Sequence, residues 1–148
     1  MPSVDLVLQK ALYGTLSTAG LTFNGNPVSV YANVPPTAGA PYVVLDQIST
    51  VPLNGNVACK HWESVFQLTV LTAFEVAGQV SDLPGLDIQG QIMAALDDQY
   101  LPLTDGFQMH PIQVSQTRKL SRFTQNSVEV LRYITLKMRV YQEKNRDE

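Results

Sequence analysis

The stretch VEVLRYITLKMRVY, residues 128–141, holds the longest regular alternation in the chain. Val128, Val130, Ile134, Leu136, Met138 and Val140 fall on one side of an extended strand. Glu129, Tyr133, Thr135, Lys137, Arg139 and Tyr141 fall on the other. A period of two with one apolar side describes a strand that buries one face. Arg132 breaks the apolar phase, so it needs a carboxylate partner, an interface, or an edge where its head reaches water. A second run, WESVFQLTVLTAF at 62–74, is extended too. Trp62, Ser64, Phe66, Leu68, Val70, Thr72 and Phe74 share one face, but Val65 and Leu71 make the other partly apolar as well. That pattern predicts a central strand covered on both sides.

Working outward from these strands, the chain opens on a helix. Ser3 can cap it, Val4, Val7, Leu8, Ala11, Leu12 and Leu16 recur at helical spacing, and Gly20 is the stop signal. Asn24-Gly25 marks a turn. Short strands follow at Val28–Tyr31 and Tyr42–Ile48, separated by a proline-rich connection. Residues 51–61 read as an extended loop or arm. After Phe74, Pro84 and Gly85 point to an irregular start, with Asp87 capping a helix whose stripe is Ile88, Ile92, Ala95 and Leu96. Thr104-Asp105-Gly106 is a hairpin turn between Leu101–Leu103 and a strand from Phe107 that Pro111 must interrupt. Residues 119–127 read as a second long loop. The order of elements predicts an α+β fold: a largely antiparallel sheet, the N-terminal and second helices packed on one face, and long loops forming contact arms. Residues 1–148 are expected to be a single domain, with a frayed charged tail from about 143.

Composition narrows the class. The 148 residues are 45% apolar and only 16% charged, against about a quarter in average proteins. This excludes intrinsic disorder, and no apolar run is long enough for a transmembrane helix. No basic segment followed by an apolar one opens the chain, so no secretory signal is expected. The lone Cys59 excludes an internal disulfide. The net charge of −3 conceals an asymmetry: residues 1–117 carry two basic and nine acidic side chains, residues 118–148 eight basic and four acidic. Such a split allows either attraction between copies or pairing within one copy. A pI near 5.3 argues against a dedicated nucleic-acid binder.

No catalytic, cofactor or metal site is expected. Gly85 and Gly90 have the spacing of a phosphate loop, but Gln91-Ile92 stands where Lys and Ser or Thr are required. His61 and His110 lie on separate segments with no metal-ligand spacing. Asp97 and Asp98 are adjacent, so they do not face each other on a helix. Cys59 beside Lys60 and His61 reads as an inert loop cysteine. Asp46 and Glu63 are candidate partners for Arg132 or Lys137. The notable feature is mixed apolar and basic character on extended segments, which suits contact surfaces. The expected assembly residues are Leu53, Val57 and Lys60 in the first arm, Lys119, Arg122 and Phe123 in the second, and Arg132 and Arg139 on the last strand.

A helix through Val7–Tyr13, then Val30-Tyr31 with Val34-Pro35, then Pro41-Tyr42-Val43-Val44-Leu45, form an ordered set of phrases. Leu68–Leu71, Ile92–Leu96, Leu101–Leu103 and the final strand through Tyr141 continue it. Over about residues 4–142 the chain resembles the tail-completion family of long-tailed bacteriophages, which includes tail terminators and tail-to-head joining proteins. It departs from the family pattern at Pro84-Gly85, where members usually have a continuous helix. The resemblance implies a non-enzymatic virion protein, made in the host cytoplasm, without cofactor or membrane partner. It implies a homo-oligomeric ring, commonly a hexamer, at the head-proximal end of the tail tube. The ring would terminate tube polymerisation and contact the tail tube protein and the head-tail connector protein. DNA would cross its lumen without sequence-specific binding, and an acidic lumen would avoid holding the phosphates. Two other readings stand beside this one: a minor tail or connector adaptor that forms no ring, and a small enzyme using His61 or His110.

Overall fold

The computed structural model of the chain describes residues 3–32, 39–53, 59–75, 83–123 and 127–143. Helix α1 (Val4–Thr18) begins where expected, with the Leu6 amide donating to Ser3 Oγ at 3.2 Å. It buries Val4, Val7, Leu8, Leu12 and Leu16 and ends before Gly20, whose φ of +71° suits a residue without Cβ. A two-strand ribbon, β1 (Thr22–Phe23) and β2 (Asn26–Pro27), turns through Asn24 and Gly25, both at positive φ.

The main sheet has the order β3-β4-β5-β8-β6, with β7 also paired to β8. Its members are β3 (Ser29–Tyr31), β4 (Tyr42–Leu53), β5 (Cys59–Glu75), β6 (Phe107–Met109), β7 (Gln113–Phe123) and β8 (Ser127–Glu143). Every pairing is antiparallel except β3 with β4. The two strands singled out by alternation, β5 and β8, are its centre and pair over their whole length, from Cys59↔Glu143 to Glu75↔Ser127. At about 3.3 Å per residue they run roughly 50 Å. The fold is α+β as expected. Phe66, Leu68, Val70, Ile134, Leu136 and Met138 form the core side of the sheet and are fully buried under α1 and helix α2 (Leu83–Leu96).

Four expectations are corrected. The loops read at 51–61 and 119–127 are instead largely strand ends: β4 reaches Leu53, β5 starts at Cys59, and β7 continues to Phe123. These ends are exposed on both sides, so their residues lack the alternation that betrays a strand, while ladder pairing to β5 and β8 still holds them extended. Val57 lies outside the described residues. Helix α2 starts at Leu83, four residues before Asp87. Pro84 and Gly85 occupy its first turn, where a missing N–H costs nothing. Leu101–Leu103 forms no strand; only Phe107–Met109 pairs, beyond a turn whose Asp105 and Gly106 are at positive φ. The expected break at Pro111 is present: β6 ends at Met109, and the chain detours to bond Ile112 with Asp98 and Gln99 before β7 begins.

The fourth correction concerns β5. Both helices pack on one face of the sheet, and among the described residues no helix or strand covers the other. On that other face Val65 is only half-buried while Thr69, Leu71 and Leu131 are buried, so the open part lies toward Val65 and Glu63.

Candidate functional site

Cross-strand partners share a face, so the register reads out the open side of the sheet row by row. Leu120, Leu131, Leu71 and Tyr42 form an apolar row across four strands. The next row is Arg118, Tyr133, Thr69 and Val44, with the Arg118 guanidinium 4.8 Å from the Tyr133 ring centre. Below it come Gln116, Thr135, Gln67 and Asp46, and then Gln113, Lys137, Val65 and Ser49. Arg139, Glu63 and Val51 follow, and Tyr141, His61 and Leu53 close the face at its far end.

The detour at Pro111 opens a cavity of about 390 Å³ on this side, lined by His110, Pro111, Gln113, Lys137 and Arg139. Glu63 balances part of its charge: Arg139 Nε lies 3.3 Å from Glu63 Oε2, and Lys137 Nζ lies 3.9 Å from Glu63 Oε1. Glu63 is therefore an acidic partner on the sheet, as expected, for Lys137 but not for Arg132. The two histidines, read as unrelated, flank one ring. His61 and His110 sit 5.9 and 5.4 Å from Tyr141, centre to centre. Among the described residues no group of three or more His, Cys, Asp or Glu side chains could hold a metal.

The side facing away from the sheet has a different character. On α2 the exposed residues Leu83, Leu86, Asp87, Gly90 and Ala94, followed by Asp97 just past its end, recur every three or four positions and so form one outward stripe. It is apolar at its start, small in its middle and acidic at its end, where exposed Asp98 follows. Leu83 is 71% exposed, high for a leucine on a regular helix. The sequence reading missed this stripe because it began the helix at Asp87; the signal is Leu83, Leu86, Gly90 and Ala94 read as a single helical phase.

The structure divides the expected assembly residues between the two sides and the two ends. Leu53, Arg122 and Arg139 are on the open face; Lys60, Lys119, Phe123 and Arg132 are on the helix side. Leu53, Lys60 and Arg139 lie toward the β4–β5 end, and the other four toward the β7–β8 end. Arg122 pairs with Glu129 across the strands, and that hydrogen bond, together with the charge of Glu129, holds its guanidinium protonated above the ordinary arginine range. Phe123 is 79% exposed. Arg132 is partly buried, its Nε donating to Gln89 Oε1 at 2.9 Å.

The chain matches the family described as Tail completion protein gp17 over residues 10–137. No curated protein matches it in sequence. In fold it is similar to a chain from the virion of a native gene transfer agent particle, with a TM-score of 0.68 and 21% identity, covering 97% of this chain and all of the other.

Proposed function

Because the chain belongs to the tail completion protein gp17 family, and so is a non-enzymatic structural component of the virion, we propose that its copies close into a ring at the head-proximal end of the tail tube. The ring, a hexamer by family expectation, stops tube polymerisation and joins the tube to the head connector, with DNA crossing its lumen free of sequence-specific contacts. The observation that carries this reading is the two-sidedness of the molecule: a sheet face with basic side chains and the exposed Leu120 lies opposite an exposed helix face with apolar and acidic positions. Unlike faces of one subunit fit a head-to-tail contact, and repeated head-to-tail contacts either close as rings or run on as filaments. The similarity to a chain of a gene transfer agent virion supports a place in a tailed particle.

The ends of the sheet are left for other partners. Lys119, Arg122 and Phe123 at one end, and Leu53 and Lys60 at the other, are assigned to contacts with tube and connector. Negative-stain microscopy of the purified protein, alone and mixed with polymerising tail tube protein, tests the proposal. Closed rings and tubes that stop growing are expected. Monomers or open filaments, with tube length unchanged, would overturn it.

A further inference from the structure

We infer that the outward stripe of α2 docks along β8 on the open sheet face of a second copy, so that each α2 is held between its own sheet and its neighbour's. The inference rests on the ring reading and specifies which surfaces make the ring.

Axial spacing supports the match. Measured from Leu83 at about 1.5 Å per residue, Asp87, Gly90, Ala94 and Asp97 stand roughly 6, 10, 16 and 21 Å along the helix. Measured from Leu131 at about 3.3 Å per residue, Tyr133, Thr135, Lys137 and Arg139 stand roughly 7, 13, 20 and 26 Å along the strand. With Leu83 and Leu86 beside Leu120, the exposed leucine of its row, Asp87 reaches the row of Arg118. Gly90 then crosses the Thr135 row, and Asp97 with Asp98 arrives at Lys137 and Arg139. Gly90 and Ala94, with the smallest side chains of the stripe, let the helix approach the sheet closely.

The register has an independent origin inside one copy. On the core side, α2 already runs along its own β8 in the same direction. Gly85 abuts Arg132, and Asp97 accepts from the Val114 amide, which pairs with Leu136. A neighbour placed over the open face with α2 unreversed, and rotated by the angle that closes a ring, therefore brings the outward stripe near this offset. Charge selects the same arrangement. Two open faces together would oppose Arg118, Lys137 and Arg139 with their like, and two helix stripes would oppose aspartates. Helix against sheet pairs them. It also covers Val65, which one copy leaves half-buried.

Arg139 shows why an outside carboxylate fits the cavity. Its Nε engages Glu63 at 3.3 Å, and its side chain is 63% exposed. Lys137 at 3.9 Å from the same carboxylate is beyond hydrogen-bond reach.

Two variants test the contact from either side. A Cβ at Gly90 meets nothing within 4 Å in its own copy and arginine favours a helix over glycine, so in Gly90→Arg the fold should persist with no fall in melting midpoint. Arg118→Glu with Leu120→Glu alters two exposed positions of β7, at the edge of the sheet. Light scattering on each variant alone should show self-association weakened by about a hundredfold, since Gly90→Arg props the helix off the Thr135 row and the two glutamates face Asp87. Mixed in equal amounts, they should form a one-to-one dimer, because each retains one intact face. Variants that both keep the wild-type oligomer would overturn this inference while leaving the ring standing. Two weakened variants that fail to pair when mixed would overturn it as well. A wild-type protein that stays monomeric at every concentration would overturn both.

Discussion

At position 132 a cationic side chain sits on the core side of the sheet, between Val130 and Ile134, and the fold accommodates it at the rim. A Cβ at Gly85 would lie 3.1 Å from Arg132 Cδ, so glycine in the first turn of α2 makes room for the arginine stem. The head then bonds Gln89, one helical turn on. Of its contacts, the one Nε makes is to an amide, Gln89 Oε1. Arg132→Ala should therefore lower stability by about 1–3 kcal/mol through lost stem packing and an orphaned Gln89 carbonyl. Thermal melting would register the loss as a drop of several degrees. Association of the folded protein should be unchanged, and a variant that melts normally but fails to associate would place Arg132 at a contact instead. Arg122 contrasts with it: its pair with Glu129 is exposed, so replacing Glu129 by Gln should cost under about 1 kcal/mol.

Helix α1 is tied to the sheet by more than its leucines. Asp5 accepts from the Thr50 hydroxyl, which itself accepts from Gln47 Nε2 at 3.0 Å and lies 2.8 Å from Ser64 Oγ. Thr50 has one proton and gives it to Asp5, so the Ser64 hydroxyl is the donor to Thr50. Ser64 is wholly buried on β5. Thr50→Val keeps the shape but strips this chain of its middle link, and urea unfolding should show a loss of about 1–3 kcal/mol. An unchanged midpoint would mean that water replaces the hydroxyl without cost. None of this was visible in the sequence, because the three residues come together only through the bulge between Gln47 and Ser49, which shifts Thr50 onto the core side. Elements with a strong period were legible: β5, β8 and α1 stand where alternation and capping put them. The strand ends at Lys119–Phe123 and Val51–Leu53 were not, since exposed residues on both faces erase the period. The start of α2 was hidden by reading Pro84 as a breaker when it occupies the first turn. That error also concealed the outward stripe, so the surface argued to matter most was the one least legible.

Across the whole molecule, the split between an acidic body and a basic end acquires a spatial meaning. The basic residues Arg118, Arg122, Lys137 and Arg139 share the open face, where Glu63 and Glu129 offset them in part. Asp87, Asp97 and Asp98 lie exposed on the opposite layer. An assembly that brings these layers together should weaken with salt, because screening shortens from about 10 Å at 0.1 M to 3 Å at 1 M. Hydrophobic contact alone would behave otherwise, since salts that are excluded from protein surfaces strengthen apolar burial. Sedimentation between low and high sodium chloride should show an association constant lower by about tenfold at high salt, equivalent to roughly 1.4 kcal/mol per contact. Arg139→Glu should remove most of that dependence by placing a carboxylate where the neighbour's aspartates arrive. Lys60→Glu, a reversal of equal size on the helix side of the sheet, should leave it intact. Identical salt curves for the two reversals would mean that net charge, and not its placement on the open face, governs how copies meet.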